Sequence, residues 1–173
     1  MKAKFLAALT IAALSLSTSQ AAIYNLSGLM DVLQAGTNGG FGAGTGIGTG
    51  TISGTFDDVS KLLDYQLTWQ DLSGPATNMH FHLGAPGVSG GVQLPIPSPF
   101  TSPKIVSGVA LSATQESNLL AGNWYVNVHT SAFTGGEIRG QVNVSQIPEP
   151  ATAGLAAAAC FGIAALVRRR RAG

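Results

Sequence analysis

The sequence predicts an all-β domain, an antiparallel Greek-key sandwich or barrel with one short helix, set between two apolar targeting segments. Three observations predict it. Leu63, Tyr65, Leu67 and Trp69 alternate with Asp64, Gln66, Thr68 and Gln70, and Trp124, Val126 and Val128 alternate with Tyr125, Asn127 and His129. A period of two gives a strand one apolar and one polar face. The chain holds 23 glycines and only 10% charged residues, which suits an extracellular β protein better than a helical one. No strand–helix–strand alternation is present, so a parallel sheet is disfavoured.

The elements follow in order. Lys2 and Lys4 precede an apolar stretch, residues 5–16, too short to span a bilayer. Ser19 and Ala21 place small residues third and first before a cut, so 1–21 reads as a secretory signal cleaved after Ala21. Residues 22–30 read as a first strand. The Gly/Thr-rich stretch 36–50 lacks a Gly-Lys-Ser/Thr ending and a following helix, so it is a loop running into a strand at 49–56, not a phosphate cradle. Residues 57–61 form a hairpin turn, and the alternating strand follows. In 77–83, Met79, Phe81 and Leu83 share one face, and Asn78, His80 and His82 the other.

Five prolines between 86 and 103 leave only 91–94 able to pair. Residues 104–110 are a short strand. Ser112 and Gln115 form a capping box for a helix near 112–121 that Gly122 ends. The strand at 123–130 points Trp124, Val126 and Val128 inward. A Gly135-Gly136 turn leads to a last strand, 137–144, with Arg139, Gln141 and Asn143 outward. Seven or eight strands result, joined mostly by local hairpins.

The C-terminus is of another kind. Ile147 and the motif Pro148, Glu149, Pro150 precede an apolar run at 151–167, then Arg168, Arg169, Arg170 and Arg171. Seventeen residues at about 1.5 Å each span roughly 25 Å, near the short limit for a bilayer. The arginines form a positive stop that stays cytoplasmic. The expected domains are thus a signal at 1–21, a β-domain at 22–146 and a tail at 147–173. Between the two targeting segments, Lys61, Lys104 and Arg139 oppose seven carboxylates, leaving −4. Nothing basic remains to grip phosphate, so nucleic acid is not an expected partner. The single cysteine, Cys160, lies in the tail, so the β-domain has no disulfide and depends on packing.

His80 and His82 lie two apart on one strand, and His129 ends another, all away from the apolar face. If those strands adjoin, three imidazoles converge, a set that suits copper or zinc with a position left open. Glu137 or water is the candidate fourth ligand. The alternative is three surface histidines bonding backbone carbonyls. Asp57 and Asp58 read as a solvated turn, and no Gly-x-Ser-x-Gly elbow is present, so no catalytic residues are assigned.

Pro148-Glu149-Pro150, the apolar run and the arginine cluster together resemble the PEP-CTERM sorting signal of Gram-negative bacteria. That resemblance implies export through the Sec machinery, a transient inner-membrane anchor, and cutting by an exosortase. Release to the envelope or the outside, in an exopolysaccharide setting, would follow. The β-domain resembles the CHRD domain. Its matching blocks are Leu26-Ser27-Gly28-Leu29, Leu72-Ser73-Gly74-Pro75-Ala76, His80-Phe81-His82-Leu83-Gly84, residues 119–130 and Gly135-Gly136-Glu137-Ile138-Arg139-Gly140-Gln141-Val142. That family is named from chordin, an extracellular binder of growth factors, and is common in bacterial secreted proteins. The resemblance implies a sandwich of the immunoglobulin-like or superoxide dismutase-like kind. His80, His82, His129 and Arg139 are also similar in placement to copper/zinc superoxide dismutase. The zinc loop, its bridging histidine and the disulfide cysteines are absent, which implies at most a bare copper site. The expected function is non-enzymatic: an exported binding or structural domain, whose partner is extracellular polysaccharide or an envelope protein. The alternative is a copper-binding metalloprotein.

Overall fold

Inward residues spaced by two dictate the strands, and the folded chain follows that spacing closely. The computed structural model describes residues 22–36 and 46–148. The signal segment, the start of the Gly/Thr-rich stretch, Glu149, Pro150, the apolar run and the four arginines lie outside the described residues. The elements are β1 Ile23–Asp31, α1 Val32–Gly36, β2 Thr49–Asp57, β3 Leu62–Gln70, β4 Ala76–Leu83, β5 Val92–Pro95, β6 Lys104–Ala110, α2 Ala113–Leu120, β7 Trp124–Thr130, β8 Ile138–Gln141 and β9 Asn143–Gln146. No helix among the described residues is long and apolar enough to cross a membrane.

The strands form one antiparallel sheet in the order β5-β4-β7-β8-β1-β2-β3-β6, with β9 also on β1. β1, β2 and β3 form a meander with two nine-residue pairings. At its second turn Asp57 Oδ1 accepts from the amides of Val59 and Ser60, and Lys61 takes a positive φ of 60°. The chain then crosses to β4 at the far side of the sheet. Although β3 and β4 are remote in the sheet, Tyr65 and Phe81 meet edge to face at 5.0 Å. The sheet must therefore curl on itself, giving an antiparallel half-barrel. Its interior holds Leu26, Met30, Phe56, Leu67, Phe81 and Trp124, all nearly or fully buried.

The helix at 113–120 forms for the expected reason. Ser112 Oγ accepts from the Gln115 amide, and the Gln115 side chain accepts from the Ser112 amide. Leu119 is fully buried beneath it.

Four expectations need correction. Nine strands form among the described residues, because the last segment breaks at Val142, whose amide bonds Trp124 instead of β1. A short helix, α1, follows β1; Asp31 Oδ1 accepts from the Gln34 amide and starts the turn. Trp69, on the apolar face of β3 and so expected in the core, is only half-buried against it, because it is the last inward position of β3 and the sheet ends beside it. Tyr125, Asn127 and Arg139 face away from the core as expected, yet they are not wet: they are 3%, 9% and 3% exposed.

Candidate metal centre

The outer face of β4, β7 and β8 carries the site. Register alone sets its plan. His82 stands opposite Tyr125, which stands opposite Gln141; His80 stands opposite Asn127, which stands opposite Arg139; Asn78 stands opposite His129. His129 is thus the diagonal neighbour of His80, a separation that ring side chains bridge. The expectation that the two strands adjoin is met. Ring centroids are 5.4 Å apart for His80–His82, 5.3 Å for His80–His129 and 6.3 Å for His82–His129. One nitrogen from each ring lies within 4.8 Å of the other two.

Backbone carbonyls fix which nitrogen of His82 and of His129 is left to bind. His82 Nδ1 is 3.0 Å from the Gly90 carbonyl, and His129 Nδ1 is 2.8 Å from the Thr134 carbonyl. A carbonyl only accepts, so each Nδ1 carries the proton and each Nε2 keeps its lone pair. His82 Nε2, His129 Nε2 and His80 Nδ1 are buried and have no hydrogen-bond partner. Buried polar atoms are normally satisfied, and three exceptions in one cluster call for a missing partner. Nitrogens bound to one zinc or copper at about 2.0–2.1 Å lie about 3.4 Å from each other, so modest ring rotations would close the set. The residues fit a metal, and the donor chemistry suits copper or zinc.

The electrostatics keep these rings neutral. Burial lowers the pKa of each. At His80 the neighbouring His129 and His82 lower it further; at His82 the Gly90 carbonyl opposes burial, while His129 and Arg139 reinforce it; at His129 the Thr134 carbonyl opposes it. All three fall from 6.5, so neutral imidazole, the ligand form, prevails at neutral pH.

A layer of other residues backs His82. Its ring stacks on Tyr125 at 5.0 Å and 12°. The Arg139 guanidinium lies 3.5 Å from the centre of the same tyrosine ring. Arg139 Nη2 donates to the carbonyls of Val88 at 2.9 Å and Ala85 at 3.4 Å. Burial lowers the Arg139 pKa, and Tyr125 opposes that effect. These contacts explain why Tyr125 and Arg139 are dry: the 84–91 loop lies over them, while Asn127 donates to the Gly135 carbonyl at 2.9 Å and lies under the 135–136 turn. This cover is not legible in the residues, because the loop reads only as a glycine- and proline-rich connection.

Glu137 does not join the histidines. Its Oε1 accepts from the Ser73 amide at 2.6 Å, and its Oε2 accepts from Ser73 Oγ at 2.6 Å and Thr130 Oγ1 at 2.7 Å. It is 1% exposed and closes the end of the barrel by tying the 70–76 turn to β7. Burial pushes its carboxyl up, but the Ser73 and Thr130 hydroxyls and the Ser73 amide outweigh burial and hold it below 4.5. A depressed folded pKa gives stability that is present above the unfolded carboxyl value and is lost as pH falls through the folded one. Glu137→Gln should therefore cost about 1–3 kcal/mol at pH 7. Its deficit against the wild type should shrink as pH drops below the carboxylate range. Urea midpoints at pH 7 and pH 3 test this; a constant deficit would contradict it.

Comparison with known proteins places residues 15–142 on a family model described as the CHRD domain. No curated protein and no solved structure matches the chain.

Proposed function

The chain belongs to the CHRD domain family, and from that premise we propose an exported domain whose working site is a three-histidine metal centre. CHRD domains are typical of secreted or extracellular proteins. Two observations on His80, His82 and His129 carry the reading: one ring nitrogen of each lies within 4.8 Å of the other two, and each ring has a buried nitrogen without a hydrogen-bond partner. His82 and His129 would bind through Nε2 and His80 through Nδ1. Copper is the favoured ion over zinc, since affinity for nitrogen donors peaks at copper and no thiolate or carboxylate among the described residues joins the set to favour another. When bound, the ion would supply Lewis acidity or, as copper, one-electron chemistry. The chain's own part is to hold three neutral rings, fix two tautomers and keep bulk water off the His82 side. The role is one of binding, in the envelope or an exopolysaccharide matrix; copper redox activity is a second reading, favoured by the position that three ligands leave open.

Calorimetric titration of the purified full-length protein with copper and with zinc tests the centre. One equivalent should bind, with nitrogen NMR shifts confined to the three histidines. Absence of binding at micromolar metal would overturn the reading.

The route completes the proposal. The 1–21 segment directs export through Sec, and the tail is held in the inner membrane until an exosortase cuts it near Pro148-Glu149-Pro150. Glu149→Ala should leave the tail uncut, so that only the longer species is found, in the membrane fraction, on immunoblots. Normal release of that variant would refute the sorting assignment.

A further inference from the structure

The 84–91 loop is built like a device and not like a connector. Ala85-Pro86-Gly87-Val88 forms a turn closed by the Val88 amide donating to the Ala85 carbonyl at 2.9 Å. Proline at the second position and glycine with φ +79° at the third are what a type II turn requires. Beyond the turn, Gly90 passes so close to β4 that a Cβ there would strike the Leu83 carbonyl. Only glycine lets the backbone come in far enough to present its carbonyl to His82.

Four contacts from β7 and β8 hold this loop. Arg139 Nη2 reaches the carbonyls at both ends of the turn, Ala85 and Val88. The Tyr125 hydroxyl accepts from the Gly90 amide at 3.1 Å. Gln141 Nε2 donates to the Gly84 carbonyl at 2.9 Å. The Gly90 carbonyl, held in this way, accepts the His82 Nδ1 proton. Arg139 is 3% exposed, and the single ion pair among the described residues is Lys61–Glu116, so no carboxylate neutralises it. A buried guanidinium without a counter-ion is costly, and its contacts here are backbone carbonyls and one tyrosine face.

We propose that Arg139 is a positioning residue for the metal centre: by pinning the 84–91 loop, it holds the Gly90 carbonyl where it fixes His82 in the tautomer whose Nε2 is free to bind metal. This rests on the three-histidine reading for its purpose, but its first consequence can be seen without metal. Outer-shell partners of this kind act on the ligand through orientation and tautomer, and their loss typically costs about 10–100-fold in metal affinity.

The test compares full-length wild type, Arg139→Met and Tyr125→Phe. Long-range nitrogen–proton NMR reads the His82 tautomer in the metal-free protein, and competition titration reads copper affinity. The wild type should show the Nδ1-protonated form of His82. Arg139→Met should show a mixture of both tautomers at His82, with His129 unchanged, and copper affinity about 10–100-fold weaker. An unchanged His82 tautomer in folded Arg139→Met overturns the proposal. If Arg139→Met does not fold, Tyr125→Phe, which loses the hydroxyl's bonds to the Gly90 amide and carbonyl, decides by the same readout. A wild type that binds no copper yet changes tautomer on substitution would sink the metal reading and leave the positioning role standing.

Discussion

His82→Ala is expected to abolish tight metal binding while leaving the domain folded. Removal of one of three ligands leaves two imidazoles, and affinity should fall by on the order of a hundredfold or more, beyond the loss expected for an outer-shell partner. The fold should survive, because His82 is half-exposed and its only hydrogen bond is to a loop carbonyl. Thermal unfolding with and without copper separates the two effects. A ligand at a hundred times its Kd stabilises the native state by about 2.7 kcal/mol. The wild type should gain that increment and His82→Ala should not, although their metal-free melting temperatures lie close together. Equal copper stabilisation in both proteins would remove His82 from the centre. His129→Ala should behave in the same way, since its Nε2 is the matching unpartnered atom on β7.

Phe81→Ala is the substitution expected to cost the most stability. Phe81 is fully buried, meets Tyr65 at 5.0 Å and Trp124 at 5.5 Å, and joins the two halves of the curled sheet. Truncating a buried phenylalanine to alanine costs about 3–5 kcal/mol, through lost burial and the cavity left behind. Native domains hold only about 5–15 kcal/mol in total, so much of the margin would go. Urea unfolding should show the midpoint fall with little change in slope. The effect should reach the metal centre as well, because Phe81 lies between His80 and His82 on β4 and its packing sets that strand against β3. Copper should accordingly recover part of the lost stability. A loss below about 1 kcal/mol would mean that the two sheet halves are held together elsewhere.

Much of this was legible in the residues. Strand β6 falls at the expected boundaries, and the capping box at Ser112 and Gln115 forms as read. These features are local: alternation and caps depend on neighbours within a few positions. The three histidines were legible as a set because His80 and His82 share a face by parity alone. Where they were misjudged was their surroundings. Tyr125, Asn127 and Arg139 occupy alternate positions that parity assigns to solvent, but the 84–91 loop covers Tyr125 and Arg139 and the 135–136 turn covers Asn127. Glu137 was read as a spare ligand, yet Ser73, distant in sequence, claims both of its oxygens. A sequence with the loop's composition gives no indication of which face it will lie on.

By itself, then, the sequence determined the β class, most of the inward residues of the strands and the capped helix at 113–120, because each follows from short-range pattern. The tertiary structure decided that β4 and β7 adjoin, which nitrogen of His82 and of His129 is left free, and that the outer face is dry. Those outcomes depend on pairings between strands some fifty residues apart and on backbone carbonyls delivered by a folded loop, and no local pattern encodes where such a carbonyl will point.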